Sequence, residues 1–456
     1  MSKPTGMLAP HDARQWTRRD ATHLLWRAQF GASVSEIDRT HKESLSKNLD
    51  RLLTPQPESE EFQVVEPLLR ETAYDTGSIS DLQAWWLYRM LNSVWSGSTA
   101  TTTSPLLEKL TLFWHGHFAT GADKVDDAEM MFAQNRLLRR HAVGDFGVMT
   151  QEISRDPAML IYLDSTTNRK AHPNENYARE IMELFCLCEG NYTERDIQEL
   201  ARCFTGWEVR RKTFRFNRYQ HDTGSKTILG ETGTFGGEEG VEIVLKQNAL
   251  PRFIARKLIH FYAFDEPAAP EHLVEPLAKL FRESDLQIAP VIERILASNL
   301  FYSPLAIGRK VRSPVELGIG MLRCLDGSAN LERLARGLDE IGQAVFYPPN
   351  VKGWDGGRSW INTSTLLGRS NLIGELLQNE ATRFDGQNLE TLVKRHGVAS
   401  PDRLINWLDD LLLAVPLSDS AKQKLIDLAE QTTGEPSRRI ARLIQTQSTV
   451  PQFHLA

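Results

Sequence analysis

Four cysteines in 456 residues, Cys186, Cys188, Cys203 and Cys324, form neither a CxxC pair nor an even ladder. They read as reduced core residues that pack like small hydrophobes. No apolar run approaches the roughly 20 residues needed to span a bilayer. A basic excess is missing too: Lys and Arg total 53 against 59 Asp and Glu, a formal net charge of −6. That balance removes the electrostatic case for nucleic acid or an anionic membrane surface as partner. The glycines from Gly230 to Gly240 lack the Walker lysine, and Glu238-Glu239 would repel phosphate. There is no GxSxG elbow, no cysteine with a histidine close by in sequence, no internal repeat and no low-complexity tract. Arg18-Arg19 has the look of a twin-arginine signal, but Asp20, His23 and Arg27 occupy the stretch that export requires to be apolar. The chain as given therefore reads as cytoplasmic.

What is present is ordinary globular material, 41% hydrophobic and 25% charged, in a chain long enough to bury a large core without disulfides or a structural metal. Helical signals dominate. Ser104-Pro105 supplies an N-cap and a proline at N1, followed by Leu106, Leu110, Phe113 and His117 on one face. Pro173 opens a second helix with the stripe Tyr177, Ile181, Leu184 and Cys188. Thr193 and Asp196 cap a third, which Gly206 stops. Between about 207 and 245 the pattern changes to alternation (Phe214, Arg215, Phe216) and clustered glycine, the mark of a β-hairpin or irregular insertion. The expectation is one mainly α domain over residues 1–456. It is a large multi-helical body with that small β-hairpin insertion and an aromatic Pro/Gly loop at about 347–360.

Four segments carry chemistry. In Phe113-Trp114-His115-Gly116-His117-Phe118, two histidines one residue apart chelate a metal only if the chain is extended there. In a helix they diverge by about 200°. The bland alternative is a pair of satisfied core histidines. In His172 to Glu183, Glu175, Arg179 and Glu183 fall at i+4 steps and suit a surface ion-pair ladder. Glu180 sits on the edge of the apolar stripe, where a carboxylate needs a metal, a histidine or an arginine as partner.

The third segment, Gln220-His221-Asp222-Thr223-Gly224-Ser225-Lys226, offers acid/base or ligand chemistry with a cation for an anionic substrate. It follows a run of arginines and aromatics from Arg210 to Tyr219 that reads as a solvated strand face rather than a nucleic-acid surface. The fourth, from Phe346 to Asn362, sets Tyr347, Trp354 and Trp360 on a stiffened loop. It is either a wall for a sugar or other flat ligand, or a loop packed down by its own aromatics.

The stretch HPNENYAREIMELFCLCEGNYTERDIQELARCFTGW, with FWHGHFAT, HDTGSKTILG, RFIARKLIHFY, KVRSPVEL and PPNVKGWDGGRSWINTSTLLGR, resembles the signature of the bacterial "domain of unknown function 1800" (DUF1800) family. The similarity runs from His23 to Pro451-Gln452-Phe453. The resemblance implies a family uncharacterised in activity, many of whose members look exported. Their genes often accompany sulfatase-like proteins, so a sulfatase-like protein is the partner it implies. The family supplies no agreed catalytic residues to carry over, and this chain departs from it in showing no export signal.

The residues themselves favour a metal-assisted enzyme, hydrolytic or oxidative, using a divalent transition metal. In that reading His115, His117 and His172 are metal ligands, Glu180, His221 and Asp222 are catalytic, and Lys226, Trp354 and Trp360 bind substrate. It expects His117, His172, Glu180 and His221 to line one pocket walled by the Trp354 loop. The rival is a non-enzymatic protein whose Trp354/Trp360 loop binds a glycan or an assembly partner.

Overall fold

Helices build most of the chain in a computed structural model, which describes residues 6–54, 56–57, 59–93, 102–398 and 400–456. The fold is mainly α, and among the described residues every sheet has two strands. None of the described helices is long and apolar enough to cross a membrane.

Helix α1 (Arg18–Ala28) begins with a capping box between Thr17 and Asp20. Helix α2 (Pro105–His117) starts where Ser104-Pro105 predicts, but the Ser104 hydroxyl does not cap it; it donates to the Leu52 carbonyl at 2.9 Å. Helix α3 (Asn176–Glu180) starts three residues after Pro173, its first amide held by Asn174 Oδ1 at 2.9 Å, and runs straight into a π turn, Ile181–Cys186. Helix α4 (Glu194–Cys203) has the expected Thr193–Asp196 capping box.

The insertion holds more order than one hairpin. Strands β1 (Trp207–Arg210) and β2 (Thr213–Phe216) pair antiparallel, as do β3 (Lys226–Ile228) and β4 (Glu231–Gly233). The glycine-rich end that reads as irregular is helix α5 (Gly237–Leu245). Its glycines are there for contact: a Cβ on Gly237 would lie 1.9 Å from the Trp207 ring.

Helix α6 (Ala249–Tyr262) turns two faces inward. Leu250, Ile254 and Leu258 are fully buried at i+4 steps, while Phe253, Lys257 and Phe261 form a second, partly exposed stripe. Helix α7 (Pro314–Cys324) starts with a Ser313–Glu316 capping box and is buried along its length, and helix α8 (Thr363–Gln378) is capped by Asn362.

Two hydrophobic cores result. One gathers Leu106, Leu110, Trp114 and Phe118 around α2 with Phe185 and the buried face of α6. The other joins Trp85 and Trp86 to Leu317 and Met321 of α7 and Leu372 and Ile373 of α8. They share walls. Helix α1 gives Leu24 and Ala28 to the first and Leu25 and Trp26 to the second, and α2 contributes Leu112 to the second.

The 347–360 loop is pinned to α2 across this seam. The Phe346 amide donates to His115 Nε2 at 3.1 Å, and the Ala122 amide donates to the Phe346 carbonyl at 2.8 Å. Further along, Gly353 has φ +77° and touches the backbone of Gly116: a Cβ there would lie 2.1 Å from the Gly116 carbonyl oxygen. Gly116 also lies beside Trp354, whose ring would be in ordinary contact, at 3.7 Å, with a Cβ placed there. The backbone between the two histidines therefore seats the aromatic loop, and Gly353 is the residue whose lack of a side chain allows it. Gly116 does not end the helix.

Candidate functional site: a cationic, aromatic cleft at the seam

The loop, α2, α6 and the start of α7 enclose a cleft of about 550 Å³, within the range of small-molecule sites. Phe113, Phe253, Phe261, Trp354 and Trp360 supply flat apolar surface. Lys109, Arg256, Lys257, Lys310 and Lys352 line it against two carboxylates, Glu316 and Asp355.

Most of that charge is already matched. Lys109 is ion-paired with Glu316 and also donates to the Gln29 carbonyl at 2.9 Å. Burial alone would raise Glu316, but Lys109 and Arg27 overcome it and hold the carboxyl at about 2. Lys310 is ion-paired with Asp265, and Arg256 with Glu271 at 2.6 Å.

Lys257 is different. The π turn closes through the Leu187 and Cys188 amides, which both donate to the Met182 carbonyl, leaving the Leu184 and Phe185 carbonyls to side chains. His117 Nε2 donates to Phe185 O at 3.0 Å, and Lys257 Nζ donates to Leu184 O at 3.4 Å. With its Nε2 proton fixed by a carbonyl, His117 presents a bare Nδ1, which accepts from Lys257 Nζ at 3.1 Å. Burial and the neighbouring lysine keep His117 neutral, well below the usual histidine range. Burial also pushes the Lys257 amine down to about 8, and the nearby Cys188 and Cys186 offset it only in part. Its ammonium lies 4.9 Å from the centroid of the Phe253 ring. No carboxylate lies within ion-pair distance of it among the described residues.

The cleft takes in three of the residues singled out by sequence, His117, Trp354 and Trp360. His115 is fully buried behind it, ring against Trp86, Phe346 and Trp354, and anchors the loop. Because α2 continues through His117, the two histidines point to different neighbours and cannot share an ion. His172 is exposed on a short bridge with Arg169.

His221 does not line the cleft: its Nδ1 donates to the Thr205 carbonyl at 2.9 Å and its ring packs on Phe216. Asp222 accepts from Arg202 Nε at 2.7 Å. Lys226 is buried with its ammonium on the Asp222, Gly224 and Phe235 carbonyls at 2.6, 3.2 and 2.9 Å, where it ties the two ends of the second hairpin together.

Glu180 is half-buried, without the buried partner that the sequence led us to expect. Burial, and then the charge of Glu183, raise its pKa. The expected ladder is broken by the π turn, whose extra residue shifts the i+4 register. Arg179 pairs with Glu175 and Glu194, while Glu183 accepts from Tyr192 Oη at 3.1 Å. Among the described residues no three His, Cys, Asp or Glu side chains are grouped to hold a metal ion. The residues do not fit the metal centre expected from His115, His117 and His172.

Sequence reading missed Lys257, Lys109 and the exposed thiol of Cys188, which lines the cleft while the other three cysteines are buried. The first two had a signal. Lys257 falls between Phe253 and Phe261 at i+4 steps, and Glu108-Lys109 interrupts an otherwise apolar run in α2.

A family model described as "Protein of unknown function (DUF1800)" matches residues 23–455, nearly the whole chain. The chain belongs to this family. Neither the curated proteins nor the solved structures contain a match to it.

Proposed function

We propose that this DUF1800 protein binds a small organic anion with a flat body in the seam cleft, the anionic group against Lys257 and the ring or sugar face against Trp354 and Trp360. The observation that carries the reading is the Lys257 cation, which among the described residues lacks a carboxylate partner, in an aromatic-walled cavity whose other buried lysines are paired. An uncompensated charge at a desolvated position is costly unless a ligand completes it. The neutral His117 accepts from the same ammonium, so it orients the amine without competing as a second charge. This reading joins the expected substrate role of Trp354 and Trp360 to a cation that sequence did not single out. It needs no metal.

Cys188 makes the test direct, because it is the exposed cysteine among four and lines the cleft. Terephthalate, a flat dianion, should slow alkylation of Cys188 by iodoacetamide and change tryptophan fluorescence. Neutral terephthalamide should do neither at the same concentration. The Lys257→Met variant should lose the discrimination. Equal protection by the anion and the neutral diamide, or none by either, would overturn the proposal.

A further inference from the structure

The position of Lys257 also suits covalent chemistry. Its nitrogen is bonded to Cε and donates to His117 Nδ1 and Leu184 O. In the neutral amine those two acceptors hold both protons, and the remaining tetrahedral position is the lone pair. Phe253 packs on the same group, and the side chain is partly exposed through the cleft it lines. An amine held in one orientation in an aromatic-walled cleft, with no carboxylate within ion-pair distance among the described residues, has the features of an activated lysine nucleophile.

We infer that Lys257 forms an imine with an aldehyde or ketone that carries an anionic group, held in this cleft. The inference rests on the organic-anion reading above and names the chemical class of its ligand. The Nζ lone pair attacks the carbonyl carbon, a C–N bond forms, and the C=O π pair moves onto oxygen, which takes the proton released by nitrogen. The carbinolamine then loses its oxygen as water, with the second nitrogen proton, and the C=N bond replaces the C–O bond. Nothing is oxidised or reduced. His117 acts as a positioning residue, since its Nδ1 fixes the direction of one N–H bond. The lowered basicity of the amine, about 8, supports the geometry by leaving a larger neutral fraction near pH 7 than an ordinary lysine has.

The experiment uses the intact protein with 4-carboxybenzaldehyde, a flat carbonyl compound with a carboxylate, and cyanoborohydride to reduce any imine to a stable amine. Peptide mapping by mass spectrometry should place the adduct on Lys257 at substoichiometric aldehyde, ahead of exposed lysines by roughly 100-fold in rate. Terephthalate should suppress it, and benzaldehyde, which lacks the anion, should react more slowly there. Labelling spread evenly over surface lysines overturns the inference. If terephthalate protects Cys188 but the aldehyde is not trapped at Lys257, binding stands and imine formation fails. If terephthalate protects nothing, the organic-anion reading itself fails. The site is read in the wild-type chain, so the result does not depend on a variant that folds.

Discussion

Glu108 is completely buried between two arginines, accepting from Arg139 Nε and Nη2 at 2.8 and 2.9 Å and from Arg89 Nε at 2.9 Å. The Trp86 indole donates to the same carboxylate at 3.1 Å. This is the buried, paired carboxylate that sequence reading assigned to Glu180. Removing its charge takes the carboxylate from the buried Arg139 guanidinium, while Arg89 keeps its ion pair with Glu66 at 3.2 Å, so Glu108→Gln should cost about 3–5 kcal/mol. Glu180→Gln should cost under about 1 kcal/mol, since its carboxylate makes no ion pair. Thermal denaturation of both variants checks the ranking, and equal effects would contradict it.

Acid should act through the same carboxyls. Burial would raise Glu108, yet Arg139 and Arg89 hold it at about 2, and Glu316 is held at about 2 as well, against 4.5 for the free group. A carboxyl with a depressed folded pKa binds fewer protons when folded. Its contribution is therefore complete above the unfolded value and is lost as pH falls through the folded one. Stability should drop steeply between pH 4.5 and 2. The raised carboxyl of Glu180 works in the opposite direction and makes the native state slightly less stable as pH rises past it. Urea titrations from pH 2 to 7 should show a shallower acid limb for Glu108→Gln.

The seating of the loop gives a third expectation. Gly353→Ala puts a methyl into the Gly116 carbonyl at a positive φ, so the chain there must shift at a cost of about 1–3 kcal/mol. Because Trp354 is the next residue, terephthalate affinity should fall more than the melting temperature alone would suggest. Fluorescence titration beside a thermal scan separates the two effects.

Lys226 should behave as a structural residue. Its ammonium satisfies three carbonyls in the insertion, so Lys226→Met should destabilise by about 2–4 kcal/mol. Binding in the cleft should be unchanged below the transition. Loss of terephthalate binding by the folded variant would restore Lys226 to a ligand-binding role.

The helical body, the capping boxes at Thr193 and Ser313 and the place of the insertion lie in local signals: side-chain caps, periodicity and glycine spacing. What the candidate site depends on does not. Sequence spacing brings His117 onto a core face, but it cannot say that a π turn sixty-odd residues later will offer its carbonyl. That same turn moved Glu183 away from Arg179 and left Glu180 half-exposed, because an i+4 argument assumes an unbroken α-helix. His221, Asp222 and Lys226 looked like chemistry because polar groups cluster there. Their partners turn out to be Thr205, Arg202 and loop carbonyls, contacts that fix a hairpin.

The helices common to both cores bear on how the molecule melts. Long chains with two apolar cores often unfold in two stages, because one body can dissolve while the other persists. Here neither core can lose α1 or α2 without baring apolar surface of the other. Calorimetry should therefore record one heat-absorption peak for the intact chain, with calorimetric and van't Hoff enthalpies in agreement. A compound seated in the seam should move that peak as a whole rather than split it.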